Sequence, residues 1–428
     1  MRKIKDSGVA WIGVIPENWQ LLSVGALFKV RNEKVNDTDY PPLSVTKGGI
    51  VPQMESVAKS DATDNRKMIL KNDFVINSRS DRKQSCGVSP LDGSVSLINT
   101  VLHPVPNAPV LPDYLDYLLK NYGFAEEFYR WGHGIVADLW TTRWQEMKNI
   151  FLPIPPVEEQ QKIIFSISTQ MGKVDALIAN VQEQIEKLKA YKQSLITEVV
   201  TKGLDPNVPM KDSGVEWIGK IPVSWGIAKL QYCAKIRSGI TLGKKYPDGA
   251  ELIERPYLRV ANVQNGGVVL DDLKTIEVSA EEDAQYRLSA GEVLMTEGGD
   301  RDKLGRGCVW LGQVEPCLHQ NHIFALRTNK LLNPYFLSYV TASKIGRVYF
   351  DITAIKTTNL ACTNSSKVLA FKLPLPSAGE QQQMVDYLDR QVDKIDKLIS
   401  AKQSKIEKLE QYKRSLIYEY VTGKKEVS

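Results

Sequence analysis

No run of eighteen apolar residues occurs in this 428-residue chain, so nothing in it is built to span a bilayer. Met1-Arg2-Lys3-Ile4-Lys5-Asp6 is basic, but no apolar stretch of signal-peptide length follows, and a cytoplasmic protein is expected. Cysteine is sparse. Cys86, Cys233, Cys308, Cys317 and Cys362 are odd in number and form no C-x-x-C pair, which argues against a disulfide framework and a zinc site and for buried, reduced thiols. With only four histidines, His319-x-x-His322 has few metal partners, and a turn or strand-end role is the better reading. Charge is weak as well. The 55 basic and 50 acidic side chains leave +5, which permits nucleic-acid binding without arguing for it, so any DNA footprint must come from local clusters.

Enzyme motifs are also missing. Asn333-Pro334-Tyr335-Phe336 lacks one proline of the N-P-P-Y/F motif of adenine methyltransferases, and no glycine-rich loop after a strand accompanies it. Pro334 is better read as the first residue of a helix. The segment from Gly239 to Gly243-Lys244-Lys245 is one residue short of a phosphate loop and has no Ser or Thr after its lysine. Asp300 and Asp302 alternate with Arg301 and Lys303, a pattern for local ion pairing rather than nuclease metal binding.

What is present is a repeat. Residues 5–19, KDSGVAWIGVIPENW, return as KDSGVEWIGKIPVSW at 211–225, with eleven of fifteen positions identical and an offset of 206. Residues 173–201 return at 394–422 with seventeen of twenty-nine identical and an offset of 221. Each of these longer copies follows a proline-flanked turn and a glutamine pair, LPIPPVEEQQ at 152–161 and LPLPSAGEQQ at 373–382. The material between the landmarks differs in length and sequence. One frame is thus written twice around unlike inserts, which suggests two related tasks with different targets.

The longer repeats read as helices of about 40 to 45 residues, roughly 60 Å each at 1.5 Å per residue. Val174, Ile178, Val181, Ile185, Leu188 and Leu195 form one 3,4-spaced stripe, and Ile395, Ile399, Ile406, Leu409 and Leu416 form the other, the seam of a two-helix coiled coil. Lys192, Lys402 and Lys413 interrupt it, so the seam should open there or the lysine stems should snorkel. Pro155-Pro156 and Pro376 precede the helices, Glu158, Glu159 and Glu380 occupy first turns, and Gly203 and Gly423 stand at the ends. If both copies of the tryptophan motif make the same contact, the N-terminal copy must dock on the end of the second helix, and the helices must run antiparallel. The repeated Trp11, Trp19, Trp217 and Trp225 then read as structural staples, because their sameness argues against sequence discrimination. Trp131, Trp140 and Trp144 read as core.

Short strands at Phe74–Asn77 and Val293–Thr296, and helices opening at Pro112 and Pro334, make each insert an α+β domain. The expected architecture is α+β: two globular domains joined by two long antiparallel helices, with a pseudo-twofold internal repeat. Its segments are 1–150, 151–203, 204–371 and 372–428. A basic loop follows each of those strands, with Arg79, Arg82 and Lys83 in one and Arg301, Lys303 and Arg306 in the other. Arginine can read guanine in the major groove, and either cation can hold phosphate. Lys235, Arg237, Lys244 and Lys245 form a third cluster. For any one loop, a solvated surface is as good a reading as a DNA contact. The equivalent placement favours DNA for the pair.

The S-G-V-x-W-I-G-x-I-P-x-x-W motif, the L-P-x-P…E-Q-Q helix start, the K-I-E-K-L-x-x-Y-K-x-S-L-I-x-E-x-V helix and Tyr257-Leu258-Arg259-Val260-Ala261-Asn262-Val263 together resemble the specificity subunits of type I restriction-modification systems over essentially the whole chain. The first insert departs from the pattern, with Pro42-Leu43-Ser44-Val45-Thr46 in place of Y-L-R-x-x-N, so different target halves are expected. The resemblance implies that each insert is a target-recognition domain reading half of a split, asymmetric sequence in double-stranded DNA, with the helices setting the gap. It implies two methyltransferase subunits that use S-adenosylmethionine to methylate adenine at N6, and two restriction subunits that use ATP. This chain would then hold no catalytic site or cofactor of its own. The rival readings are a self-contained methyltransferase and nuclease, and a coiled-coil scaffold without DNA contact. Binding of S-adenosylmethionine by the isolated chain tests the first; salt-dependent binding of random duplexes tests the second.

Overall fold

A computed structural model describes residues 2–53, 65–79, 84–134, 140–299, 304–305, 307–356 and 361–427. No helix among them is long and apolar enough to cross a membrane. The chain divides into two compact units, one of Met1–Gln182 with Ser404–Ser428 and one of Glu183–Gln403.

The first unit opens with the hairpin Ile4–Asp6 and Val14–Pro16, and its strand Gln20–Ser23 pairs with Phe151–Ile154. Its main sheet is antiparallel, in the order Cys86–Val88, Phe74–Asn77, Asn99–Pro104, Phe28–Val30. All four residues of Phe74–Asn77 are buried, the pattern of a central strand covered on both faces. Phe28, Phe74, Ile76 and Leu102 face one core, shared with the helices Pro112–Lys120 and Tyr122–Arg130. Val75 and Val101 alternate to the other face and meet Leu43, Ile50 and Ile69, as the period of two requires.

The second unit repeats this plan. The hairpin Met210–Asp212 and Lys220–Pro222 is followed by Gly226–Lys229, paired with Lys372–Leu375. The main sheet has the order Ala234–Ser238, Ile323–Thr328, Val293–Thr296, Gly307–Val309, with the helices Pro334–Ala342 and Lys344–Thr353 on one face. Leu294, Cys308, Ile323 and Ala325 meet Trp310 and Leu258 on the other. The Asn333-Pro334 step is a helix start: Asn333 caps it by accepting from the Tyr335 and Phe336 amides, and Pro334 stands in the first turn.

The two long helices are Val157–Lys202 and Ala378–Val421, 46 and 44 residues. Within the second unit Lys402 donates to Gln184 and Lys192 to Asp396 (2.6 Å), so partner numbers fall as the first helix advances. The pair is therefore antiparallel. In the first unit Lys413 reaches Asp175 at 2.6 Å. Val174, Ile178 and Val181 are buried there, as is Ile185 in the second unit. The lysines do not break the seam. Each lies half-buried along it, and its ammonium reaches a polar group of the facing helix.

Both tryptophan motifs pack on helix ends. In the first unit Tyr418 donates to the Trp11 carbonyl at 2.8 Å, Lys424 to the Ile12 carbonyl at 2.6 Å, and buried Tyr114 to the Val421 carbonyl at 3.2 Å. The N-terminal copy thus sits on the end of the second helix. In the second unit Val215, Ile218, Ile221 and Trp225 share a core with Ile196, Val199 and Val200. The helix-end glycines take the left-handed conformation that caps require, with φ +79 at Gly203 and +71 at Gly423.

The glutamine of each repeated turn has a structural task. Gln160 is fully buried; its amide donates to the carbonyls of Pro109 and Pro155 and accepts from the Leu111 amide. Gln381 does the same with Leu331, Pro376 and the Asn333 amide. One side chain in each unit ties the start of the long helix to the loop that launches the first short helix, satisfying backbone groups that would otherwise be stranded. Four cysteines are buried and Cys362 is half-buried, all unpaired.

Candidate nucleic-acid interface

The two basic loops grow from equivalent roots. In the first unit the chain leaves the buried strand Phe74–Asn77, and Arg79 forms a bridge to Thr141, which bridges in turn to His133. The Arg79 amide is held by the Asn77 side chain at 3.0 Å, while the rest of the residue is exposed. In the second unit Gly298–Gly299 pairs with Ala361–Cys362, which pairs with Ile355–Lys356. Each loop is therefore pinned by backbone pairing to the segment that follows the second helix of the packed pair, Tyr122–Arg130 in one unit and Lys344–Thr353 in the other. Beyond the roots, Arg82, Lys83, Arg301, Lys303 and Arg306 lie outside the described residues, as do Asp300 and Asp302. Leu304 is buried in the core of its unit, and the neighbouring Gly305 lies against Phe350.

The third cluster is divided by the fold. Arg237 lies on the edge strand of the main sheet and is engaged. It holds the buried Glu292 carboxylate at 2.7 and 3.0 Å and donates to the carbonyls of Gln285 and Arg287. Arg31 does the same in the first unit, gripping buried Asp73 at 2.7 and 3.2 Å. Both acids stand immediately before the central strand of their sheet. This repeated clamp was not read from the sequence, and its identity in both units marks it as part of the frame. Lys244 pairs with Glu282, which also accepts from the Tyr246 hydroxyl at 2.6 Å. Burial pushes the Glu282 carboxyl up, but the hydrogen bonds from Lys244, Tyr246 and the Ser279 amide outweigh it and hold the group at about 2. Lys245 is exposed.

The histidines separate as well. His319 is fully buried, its Nδ1 2.9 Å from the Ile323 carbonyl. Burial pushes it down to about 4. His322 is exposed, with Nδ1 2.7 Å from Glu297. No cluster of three or more metal-ligating side chains exists among the described residues. Trp11, Trp19 and Trp225 are buried, and Trp217 packs partly buried against the same core as Trp225. Trp131, Trp140 and Trp144 are half-buried, with the indole nitrogens of Trp131 and Trp140 held by Glu127 and the Tyr129 carbonyl.

Comparison with known proteins follows the same lines. Residues 222–408 match the family described as type I restriction modification DNA specificity domain. The MjaVIII specificity subunit of a type I restriction enzyme from Methanocaldococcus jannaschii is 27% identical over 65% of this chain and 62% of its own length. The putative MjaX specificity subunit of the same organism is 27% identical over 48% of this chain and 47% of its own length. The matches thus span less than two thirds of these relatives. The EcoBI specificity subunit of Escherichia coli is 26% identical over 62% of this chain and 57% of itself. In fold, a chain from a structure of the assembly and conformational transition of the type I R-M system superposes with a TM-score of 0.67 at 17% identity, over 95% of this chain and 98% of that one. The HsdS subunit from Thermoanaerobacter tengcongensis gives 0.50 at 17% identity, over 96% and 98%.

Proposed function

Since the chain belongs to the type I restriction-modification specificity subunits, we propose that it selects the DNA sequence on which a type I complex acts, each unit reading one half of a bipartite, asymmetric site. The observation that carries this reading is the pair of unlike basic loops rooted at one position of a repeated frame. A frame used twice fixes where a loop meets the duplex. Loops that differ let the two halves differ.

In this reading Arg79, Arg82 and Lys83 act on one half-site and Arg301, Lys303 and Arg306 on the other, with Lys244 and Lys245 adding contacts to the second. Arg237 contributes charge from within the frame. The chain carries no catalytic group and no cofactor. It recruits two methyltransferase subunits, which use S-adenosylmethionine, and two restriction subunits, which use ATP and magnesium. The exposed, charged sides of the long helices suit such docking. Support for a non-catalytic role comes from the missing motifs and from relatives that are specificity subunits.

The test is methylation-motif sequencing of host DNA with the gene intact, deleted, and carrying single alanine substitutions at the six loop residues. One bipartite motif should vanish on deletion. A substituted guanine reader should relax one base position in one half only, at roughly 1–3 kcal/mol. Unchanged motif and affinity in all six variants would refute the assignment of these loops, and methyl transfer by the purified chain alone would refute the non-catalytic reading.

A further inference from the structure

We propose that Lys235, Arg287 and Arg327 of the second unit form a sequence-independent phosphate-contact strip near the Val293 end of the central strand, distinct from the loop that leaves its Thr296 end. The inference rests on the DNA-recognition reading above and assigns a second class of contact to the same unit.

The starting point is an excess of guanidinium over buried acid. Glu292 is 1% exposed and is already satisfied by Arg237 and by the Ser289 amide. Arg327 nevertheless adds a second guanidinium 3.1 Å from the same carboxylate. Asp283, 3% exposed, is gripped by Arg255 at 3.0 and 3.1 Å, and Arg287 adds a second guanidinium there too. Two buried acids thus hold four arginines and leave two positive charges over. The extra members are the exposed ones: the side chains of Arg327 and Arg287 are 61% and 48% exposed, against 34% and 24% for Arg237 and Arg255. One guanidinium per carboxylate is enough to make burial tolerable. A second, mostly in water, adds little stability. What it does add is an arginine whose orientation is fixed, with much of its donor fork open to solvent.

The clusters are contiguous, because Arg237 donates to the backbone carbonyl of Arg287. Arg327 also has a basic neighbour. In the antiparallel pairing of the edge strand, Lys235 stands directly opposite Arg327, and both are exposed. Like charges at facing positions are unfavourable without an anion between or beside them. The first unit keeps the lysine at the same place: Lys29 stands two residues before the clamp arginine Arg31, as Lys235 stands two before Arg237, but it faces His103 rather than an arginine. Exposed cations on the edge strand, away from the base-reading loop, suit the part of DNA that does not vary, which is its backbone.

The experiment measures binding of the full chain to a duplex carrying its methylation motif and to a scrambled duplex, across a salt series. Variants are Lys235→Gln, Arg287→Gln and Arg327→Gln, each checked for folding by thermal melting, with Lys235→Arg and Arg327→Lys as charge-retaining controls. Each neutral variant should weaken both duplexes alike, roughly three- to tenfold near physiological salt, and flatten the plot of log K against log salt by about 0.9. The controls should restore the slope, and the methylated motif should stay unchanged. An unaltered slope in folded neutral variants, or a loss confined to one duplex, would overturn the strip, the second outcome making these residues base readers. If the unsubstituted chain itself shows no salt-dependent binding, it is the DNA-recognition reading that fails.

Discussion

The two arginines on Glu292 should differ sharply in what they contribute to the fold. Replacing Arg237 with methionine removes the guanidinium that grips the carboxylate at 2.7 and 3.0 Å. The acid left behind is 1% exposed and, among the described residues, retains the Ser289 amide and the outlying Arg327. Stranding a buried charge costs about 3–5 kcal/mol, and the lower end applies because Arg327 can still move in. Removing Arg327 instead, as Arg327→Gln, takes away the 61% exposed member of a pair whose acid remains held, a change worth about 0–1 kcal/mol. For a unit of this size each kcal/mol moves Tm by about 2–4 °C. Arg237→Met should therefore lower the melting transition of its unit by roughly 6–12 °C, and Arg327→Gln by less than about 4 °C. Differential scanning calorimetry reads both, and the transition of the other unit supplies an internal reference. Equal shifts for the two variants would refute the division between a structural clamp and an exposed second arginine. Arg31→Met should behave like Arg237→Met, since Asp73 is 2% exposed.

Gln381→Leu removes the partner of the Asn333 amide and of the carbonyls of Leu331 and Pro376; with the Pro376 bond buried and about 1–3 kcal/mol lost for a buried group left unpaired, urea denaturation should show a loss of at least that size, with Gln160→Leu close to it. His319 is held down to about 4 by burial, so the folded unit binds fewer protons than the unfolded chain between pH 4 and 6.5. Stability should therefore fall as pH drops through that window, by at most roughly 3 kcal/mol, and denaturation profiles of His319→Gln should be flatter there. Gly423→Ala combines φ +71 with a Cβ placed 2.4 Å from Pro16 Cδ, whereas a Cβ on Gly203 would meet the edge of Trp225 at 3.2 Å. Both should destabilise by about 1 kcal/mol from backbone strain alone, and thermal melting should show the larger loss for Gly423→Ala.

The repeat was the legible part of this protein. Identity at fixed offsets announced a frame used twice, and a 3,4-spaced apolar stripe made the long segments helices. The position of the tryptophan motif then required antiparallel pairing, because a contact made twice must close the chain on itself. Those features are periodic or local, so they survive in one dimension. The interrupting lysines could be placed on the seam, yet whether they would open it was a matter of reach: only the facing positions of Asp175, Gln184 and Asp396 decided that the ammonium groups bond across. The clamps stayed hidden for the same reason. Arg31 and Asp73 are 42 residues apart and Arg237 and Glu292 are 55 apart, so no spacing rule links them. Their equivalence appears only when two sheets of the same strand order are laid over each other. In one dimension Lys235 is one cation of a cluster, and Arg327, 92 residues away in the chain, carries no motif. Antiparallel register set them face to face, and burial of Glu292 beside Arg327 fixed which charges remained over. Sequence determined that there are two units and where they vary. Tertiary packing decided which cations are part of the frame and which are left facing water.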